Sequence, residues 1–398
     1  MKANFEAFSI AKLPRLEFGA GKIRCLPDLI TPYGKSILVV TGGASFLNSA
    51  AWQDLQQALQ QAGIHWQLCQ IHTEPSPHLI DELVQRYAGQ GIKVVVGIGG
   101  GSALDAAKAI AGLLEVGQSV MDFLEGVGPE LPYPGPSIPL IAIPTTAGTG
   151  SEATKNAVLS VQGADGFKKS FRDDRLVAEY AVLDPDLLAT CPPDLIAANG
   201  MDALTQLMES YVSMKANPFT DALAISGLRA LRDSLLIWYQ NDEGQVEARE
   251  KMAYAAWLSG ITLAQCGLGS VHGLASPLGA FYPIPHGVVC GSLVAVATEV
   301  NIRAMQSREP ENPGLPRYAR LAEIICEQRL REPEMAYQAL VKRLWQWTEA
   351  MQLPNLSRYG VTLEGLDHVV AHSRGSSMRT NPVVLTDEEI RSIVERRL

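Results

Sequence analysis

Residues 93–113 constrain this chain most, because Lys93-Val94-Val95-Val96-Gly97 runs through Ile98-Gly99-Gly100-Gly101-Ser102 straight into Ala103-Leu104-Asp105-Ala106-Ala107-Lys108. A β-branched run without polar alternation is buried on both faces, and such strands belong to parallel sheets covered by helices. The glycines let the backbone turn tightly and approach a ligand closely, while the following helix presents free N–H groups and the positive end of its dipole. The spacing is not G-x-G-x-x-G: counted from Gly97 the last position is Ser102, and from Gly99 it is Leu104. Phosphate binding and a ligand-free strand-to-helix turn are therefore both compatible with the local pattern.

The flanking sequence repeats the same rhythm. Strands are expected at Ser36–Thr41, Trp66–Ile71, Lys93–Gly97, Leu140–Ile143 and Tyr180–Leu183, with helices at 50–63, 79–91 and 102–113 between the first of them. Pro129, Pro132, Pro134, Pro136 and Pro139 mark a loop. A second candidate cofactor loop, Pro144-Thr145-Thr146-Ala147-Gly148-Thr149-Gly150-Ser151-Glu152, follows the strand at 140–143 and offers hydroxyl and backbone donors where α/β sheets bind ligands. A serine- and threonine-capped loop is its plain alternative. After Asp184-Pro185 the strand signals stop. Helix starts follow at Pro192-Pro193, at Asn217-Pro218 and at the capping box Thr386/Glu389. The expected organisation is an α/β Rossmann-like domain over residues 1–188 and an all-α domain over 189–398.

The chain has 398 residues with 33 Lys+Arg against 42 Asp+Glu, a formal net charge of −9. That balance argues against a nucleic-acid or anionic-membrane partner. No basic segment followed by an apolar run opens the chain, and no run of about 18 consecutive apolar residues is present, so a cytoplasmic protein is expected. Cys25, Cys69, Cys191, Cys266, Cys290 and Cys326 show no metal-ligand spacing and read as small buried hydrophobes.

Met201–Ser213 reads as an amphipathic helix with Asp202, Gln206 and Glu209 on its polar face. Asp202 and Gln206, four apart, can share an ion, but a solvated face is the commoner meaning of such a pattern. His272 and His286 sit in Gly- and Pro-shaped apolar surroundings, as either core residues or ligands.

Taken together, GGGSALDAAKAIA at 99–111, PTTAGTGSEATKNAV at 144–158, DPDLLATCPPDLIAANGMDALTQLMESY at 184–211 and HGLASPLGAFYPIPHG at 272–287 resemble the iron-containing (group III) alcohol dehydrogenases. The resemblance implies a dehydroquinate synthase-like architecture, with the active site in the cleft between the two domains. It implies that Gly100, Gly101 and Ser102 hold a pyrophosphate with Asp105 close by, and that Thr145, Thr146, Thr149, Asn156, Lys168 and Leu195 also contact NAD(P). It implies a divalent metal on Asp202, position 206, His272 and His286, with Fe²⁺ expected first and Zn²⁺ or Mn²⁺ as alternatives. A small alcohol or aldehyde, or else a hydroxy acid or its keto counterpart, is the implied substrate, and a dimer or larger homo-oligomer the implied assembly.

Two positions depart from the family. Position 206 usually carries His and here is Gln206, a neutral and weaker donor. Position 276 often carries a His that relays a proton, and here is Ser276, which can pass a proton but is a poor base. The expected catalytic group is Ser276, with water and the cofactor ribose completing the route. After the strand at 36–41 come Gly42-Gly43-Ala44-Ser45, with no carboxylate to repel a 2′-phosphate. Gly42 and Gly43 are thus expected at the cofactor ribose, NADP(H) is favoured, and use of both cofactors stays open. The weakened metal set leaves a metal-independent reductase as an alternative, beside a lyase of dehydroquinate-synthase type and a non-catalytic nucleotide-binding protein.

Overall fold

The computed structural model describes residues 7–398. The chain forms two compact units: residues 11–161 with 168–191, and residues 192–398 with 162–167 and the described part of 1–10.

The strands, in chain order, are β1 (Arg15–Phe18), β2 (Ser36–Thr41), β3 (His65–Gln70), β4 (Val94–Gly99), β5 (Leu140–Pro144), β6 (Asn156–Val161), β7 (Phe167–Arg172) and β8 (Tyr180–Leu183). Six of them form one sheet in the order β1-β8-β5-β4-β2-β3, every pairing parallel. Alternation of side chains across the pleat sends Ile37, Val39, Val94, Val96, Ile98, Ile141 and Ile143 into one core with Trp52, Leu55 and Leu59. Leu38, Val40 and Val95 are equally buried on the other face. Burial on both sides explains why these strands read as continuous apolar runs. Helices of nine residues or more in this unit are α1 (Ala50–Gln61), α2 (Pro77–Tyr87) and α3 (Gly101–Leu113).

Three strands are absent from the sequence reading. β1 is a four-residue edge strand, half polar, defined by its pairing with β8. β6 and β7 form a separate two-stranded sheet. The glycine run also divides differently from the expectation, since β4 continues to Gly99 and takes in both Gly97 and Gly99. A methyl group on Gly97 would lie 2.8 Å from Ala107 Cβ, and one on Gly99 2.7 Å from Ala103 Cβ. These two glycines serve the close seating of α3 on β4, and only Gly100 and Gly101 remain for the turn.

The second unit is helical, with α4 (Pro193–Val212), α5 (Pro218–Arg232), α6 (Gln245–Cys266), α7 (Ser270–Phe281), α8 (His286–Arg308), α9 (Gly314–Cys326), α10 (Pro333–Ala350) and α11 (Asp387–Glu395). Capping boxes start α5 at Asn217 and α11 at Thr386, and loss of either cap costs about 1 kcal/mol. α8 is long and apolar enough to cross a membrane by length and composition, but it lies buried inside the structure as a core helix.

Candidate metal centre and nucleotide loops

α4 carries the first candidate residues. The helix opens at Pro193 and is buried along most of its length, so Asp202, Gln206 and Glu209 are 0%, 2% and 7% exposed. This corrects the solvated polar face expected for 201–213. The polar stripe faces other helices instead of water, and buried polar groups must find partners there.

Glycines bring those partners in. Gly287 and Gly291, four apart on α8, lie against α4: a methyl on Gly287 would run into the Ala198 carbonyl, and one on Gly291 would sit 2.8 Å from Met201 Cβ. Each glycine directly follows a donor residue, His286 or Cys290. On α7, Glu209 Oε1 accepts from the Val271 N–H at 2.7 Å, a contact that a side chain at Gly269 would obstruct, its Cβ falling 2.9 Å from Oε1.

Three helices thus converge on one point. His272 Nε2 lies 3.2 Å and His286 Nε2 3.8 Å from Asp202 Oδ1. Cys290 Sγ lies 3.6 Å from His272 Nε2 and 3.7 Å from His286 Nε2. The four donor atoms all fall within 4.8 Å of one another. Cys290 was not singled out in the sequence, where the cysteines read as small buried hydrophobes; it is buried, and its sulfur lies beside both imidazoles. The available signal was His286-Gly287 repeated four residues later as Cys290-Gly291.

His272 Nδ1 donates to Glu209 Oε2 at 2.7 Å, which turns Nε2 toward Asp202 and Cys290. A carboxylate behind an imidazole in this way is the arrangement that orients metal-binding histidines. Gln206 Oε1 accepts from Ser259 Oγ at 2.8 Å, and its Nε2 faces Asp202 Oδ1 at 3.3 Å. Asp202 Oδ2 is buried with no hydrogen-bond partner.

Electrostatics follow from the crowding. Burial works to raise the Asp202 carboxyl, but His286, His272 and Cys290 outweigh it and hold Asp202 below its ordinary value. Burial works to lower His272, yet Cys290, Asp202 and Glu209 raise it well above an ordinary imidazole. Burial pushes the Cys290 thiol up to about 12, with Asp202 adding to the effect and His272 opposing it. Acceptors crowd a dry volume and favour positive charge there, a demand that a divalent cation meets. A buried carboxylate with one orphaned oxygen, beside two imidazoles and a thiol, fits such an ion. Ser276 lies one helical turn beyond His272 on α7, half-buried.

In the sheet unit, three candidate loops follow three adjacent strands. Gly100–Ser102 follow β4, Thr145–Thr149 follow β5, and Gly42-Gly43 follow β2, with Gly99 paired to Pro144 and Ile98 to Thr41. The Thr145 N–H donates to Gly99 O at 3.0 Å, and a methyl on Gly101 would lie 2.9 Å from Thr149 Cγ2, so the loops touch. α3 starts at Gly101 with no side chain capping it, which leaves its first N–H groups for a ligand. Around Gly42 and Gly43 a side chain would meet nothing within 4 Å.

The other positions that the resemblance implies lie outside these loops along the chain. Asp105 Oδ1 accepts from Ser151 Oγ at 2.6 Å. Asn156 opens β6, its carbonyl accepting from Lys108 Nζ at 2.6 Å. Lys168 Nζ pairs with Glu74 at 2.7 Å. Leu195 lies in the first turn of α4, in the helical unit, 38% exposed. Lys108, not singled out in the sequence, also reaches Ser151 O at 2.8 Å, Ser151 Oγ at 3.1 Å and Thr154 Oγ1 at 3.0 Å, and burial lowers it to about 8. It pins the segment that leads out of the threonine loop.

Comparisons with known proteins agree with this layout. Alcohol dehydrogenase 4 of Saccharomyces cerevisiae (strain YJM789) is 33% identical over 387 residues, covering 95% of each chain. The structure of an alcohol dehydrogenase from Oenococcus oeni superposes with a TM-score of 0.87 at 30% identity, over 98% of this chain and 100% of that one. That of an archaeal halo-thermophilic alcohol dehydrogenase from a Red Sea brine pool gives 0.89 at 27% identity, over 99% and 100%. Family profiles described as iron-containing alcohol dehydrogenase and its C-terminal domain match residues 14–185 and 196–398. With its parallel sheet, its helical unit and both profiles accounted for, the chain belongs to the iron-containing alcohol dehydrogenase family.

Proposed function

We propose that this chain is an NAD(P)(H)-dependent dehydrogenase that interconverts a small alcohol and its aldehyde or ketone, using a divalent cation held by Asp202, His272 and His286. The observation that carries the reading is the convergence of these donors from α4, α7 and α8 on Asp202 Oδ1, while Oδ2 of the same buried carboxylate has no hydrogen-bond partner. When bound, the cation supplies Lewis acidity to the substrate oxygen and the nicotinamide gives or takes the hydride.

The chain's own groups do the rest. Asp202 supplies the negative charge that balances the cation. Glu209 fixes the tautomer of His272 through Nδ1, so that Nε2 faces the cluster. His286, at 27% side-chain exposure, is the most open of the donors and marks the side from which substrate arrives. Ser276 relays a proton toward solvent through its hydroxyl. Gly100, Gly101 and Ser102 offer backbone donors to the pyrophosphate, and Thr145, Thr146 and Thr149 offer hydroxyls beside them. Asn156, Lys168 and Leu195 are further cofactor contacts by family resemblance. The open space at Gly42-Gly43, with no carboxylate nearby in sequence, suits a 2′-phosphate and favours NADP(H).

Elemental analysis of the protein as isolated, paired with a panel of alcohols, aldehydes and ketones against NADH and NADPH, tests the reading. One tightly held divalent ion per chain is expected, with turnover that chelation abolishes and faster turnover with NADPH. Absence of turnover with either cofactor when Fe²⁺, Mn²⁺ or Zn²⁺ is supplied would sink it.

A further inference from the structure

The cation site as the family builds it lacks its third imidazole here, because position 206 is Gln. Gln206 does not take over that role in the observed geometry. Its oxygen is engaged by Ser259, and its nitrogen, a donor, is the atom turned toward Asp202. A fourth donor comes from elsewhere: Cys290, one helical turn after His286 on α8, fully buried, with its sulfur nearly equidistant from both imidazole nitrogens.

We propose that Cys290 Sγ, in place of a donor at position 206, completes the site as a carboxylate–imidazole–imidazole–thiolate set, and that this set selects Zn²⁺. The inference rests on the metal reading above and specifies its ligands.

Two independent observations carry it. The first is metric. Zinc–sulfur and zinc–nitrogen bonds of about 2.3 and about 2.05 Å, set at a tetrahedral angle, place sulfur and nitrogen about 3.6 Å apart. The observed edges are 3.6 and 3.7 Å. Oxygen and nitrogen ligands should lie about 3.4 Å apart on the same basis, and the observed edges of 3.2 and 3.8 Å bracket that value.

The second is a buried oxygen left without a partner. With Glu209 engaged at Nδ1, His272 turns Nε2 toward the Asp202 carboxylate and the Cys290 sulfur. Asp202 Oδ2, in a residue 0% exposed, has no hydrogen-bond partner at all. A cation held by Asp202, both imidazoles and the sulfur compensates the charge of that buried carboxylate. Binding turns the thiol into a thiolate and releases its proton to solvent. Thiolate is the softest donor of the set and shifts preference from Mn²⁺ and Fe²⁺ toward Zn²⁺.

The test uses the full chain, stripped of metal and loaded with Co²⁺ as a spectroscopic stand-in for Zn²⁺. A sulfur-to-cobalt charge-transfer band is expected beside the d–d bands of a tetrahedral ion. Cys290→Ser, close in size to the native residue, should lose the charge-transfer band and keep d–d absorption. In competition titrations, Cys290→Ala should weaken Zn²⁺ binding roughly 100-fold or more, beyond the 10–100-fold that loss of a supporting partner costs. Mn²⁺ binding should change less than about tenfold, since sulfur contributes little to holding a hard ion. Cobalt bound with d–d bands but without charge transfer overturns the proposal and leaves the metal reading standing. So does a Gln206→Ala variant that loses Zn²⁺ as severely as Cys290→Ala does, because the amide would then be the fourth donor. Failure of the native chain to bind Co²⁺ or Zn²⁺ overturns both.

Discussion

Glu209 touches no candidate ligand atom facing the centre, yet it controls one. Its carboxylate holds both the His272 Nδ1 and the Val271 N–H, so imidazole and helix start are oriented by the same group. Glu209→Gln keeps the shape and removes the charge that raises the basicity of His272. Metal affinity should fall about 10–100-fold, read by titration against a competing chelator, with the helical content unchanged. A loss smaller than twofold would mean that Glu209 only fills space. Glu152 offers a second residue-scale test. Burial pushes its carboxyl from 4.5 up to about 7. The folded chain therefore holds that proton more tightly than the unfolded chain, and the stability it confers is complete below about pH 4.5 and lost as pH rises to about 7. Urea unfolding of Glu152→Gln across this window should lack the decline, a difference of up to about 3 kcal/mol between the ends. At this scale Asp202, His272 and His286 came forward through the family resemblance of their motifs, because the local pattern alone left the two histidines as core residues or ligands and Asp202 on a solvated face. Lys108 did not, because nothing in a linear pattern distinguishes a buried ammonium beside partners from one that merely packs, and Cys290 was marked only by the glycine that follows it.

Elements place these residues through glycine. The approach of α8 to α4 depends on Gly287 and Gly291, just as that of α3 to β4 depends on Gly97 and Gly99. Gly287→Ala would press a methyl into the Ala198 carbonyl and push the helix starting at His286 away from Asp202. A destabilisation of about 1–3 kcal/mol is expected by chemical denaturation, accompanied by weaker metal binding. Gly42→Ala, where a methyl meets open space, should stay within about 0.5 kcal/mol of the native chain. Equal effects at the two positions would contradict the packing account. Element type was readable wherever the apolar period was strong, as in β2, β4, β5 and α3, and the caps at Asn217 and Thr386 marked helix starts correctly. β1 escaped notice because a short, half-polar edge strand is defined by its neighbour β8 and not by its own composition.

Across the whole molecule, local chemistry and long-range packing divided the information between them. Order along the chain, a parallel α/β unit followed by helices, followed from the sequence alone, because uninterrupted β-branched runs and glycine turns are stable in few other arrangements. The same holds for the loops at Gly100–Ser102 and Thr145–Thr149, where glycine and hydroxyl residues follow strand ends. Only the tertiary structure decided that the polar stripe of α4 is buried, that Glu209 backs His272, that Gln206 turns its nitrogen to Asp202, and that Cys290 joins the cluster. The physical reason is that a side chain's burial and partners are set by other helices, which arrive from about 60 to 90 residues away along the chain and leave no trace in the local period.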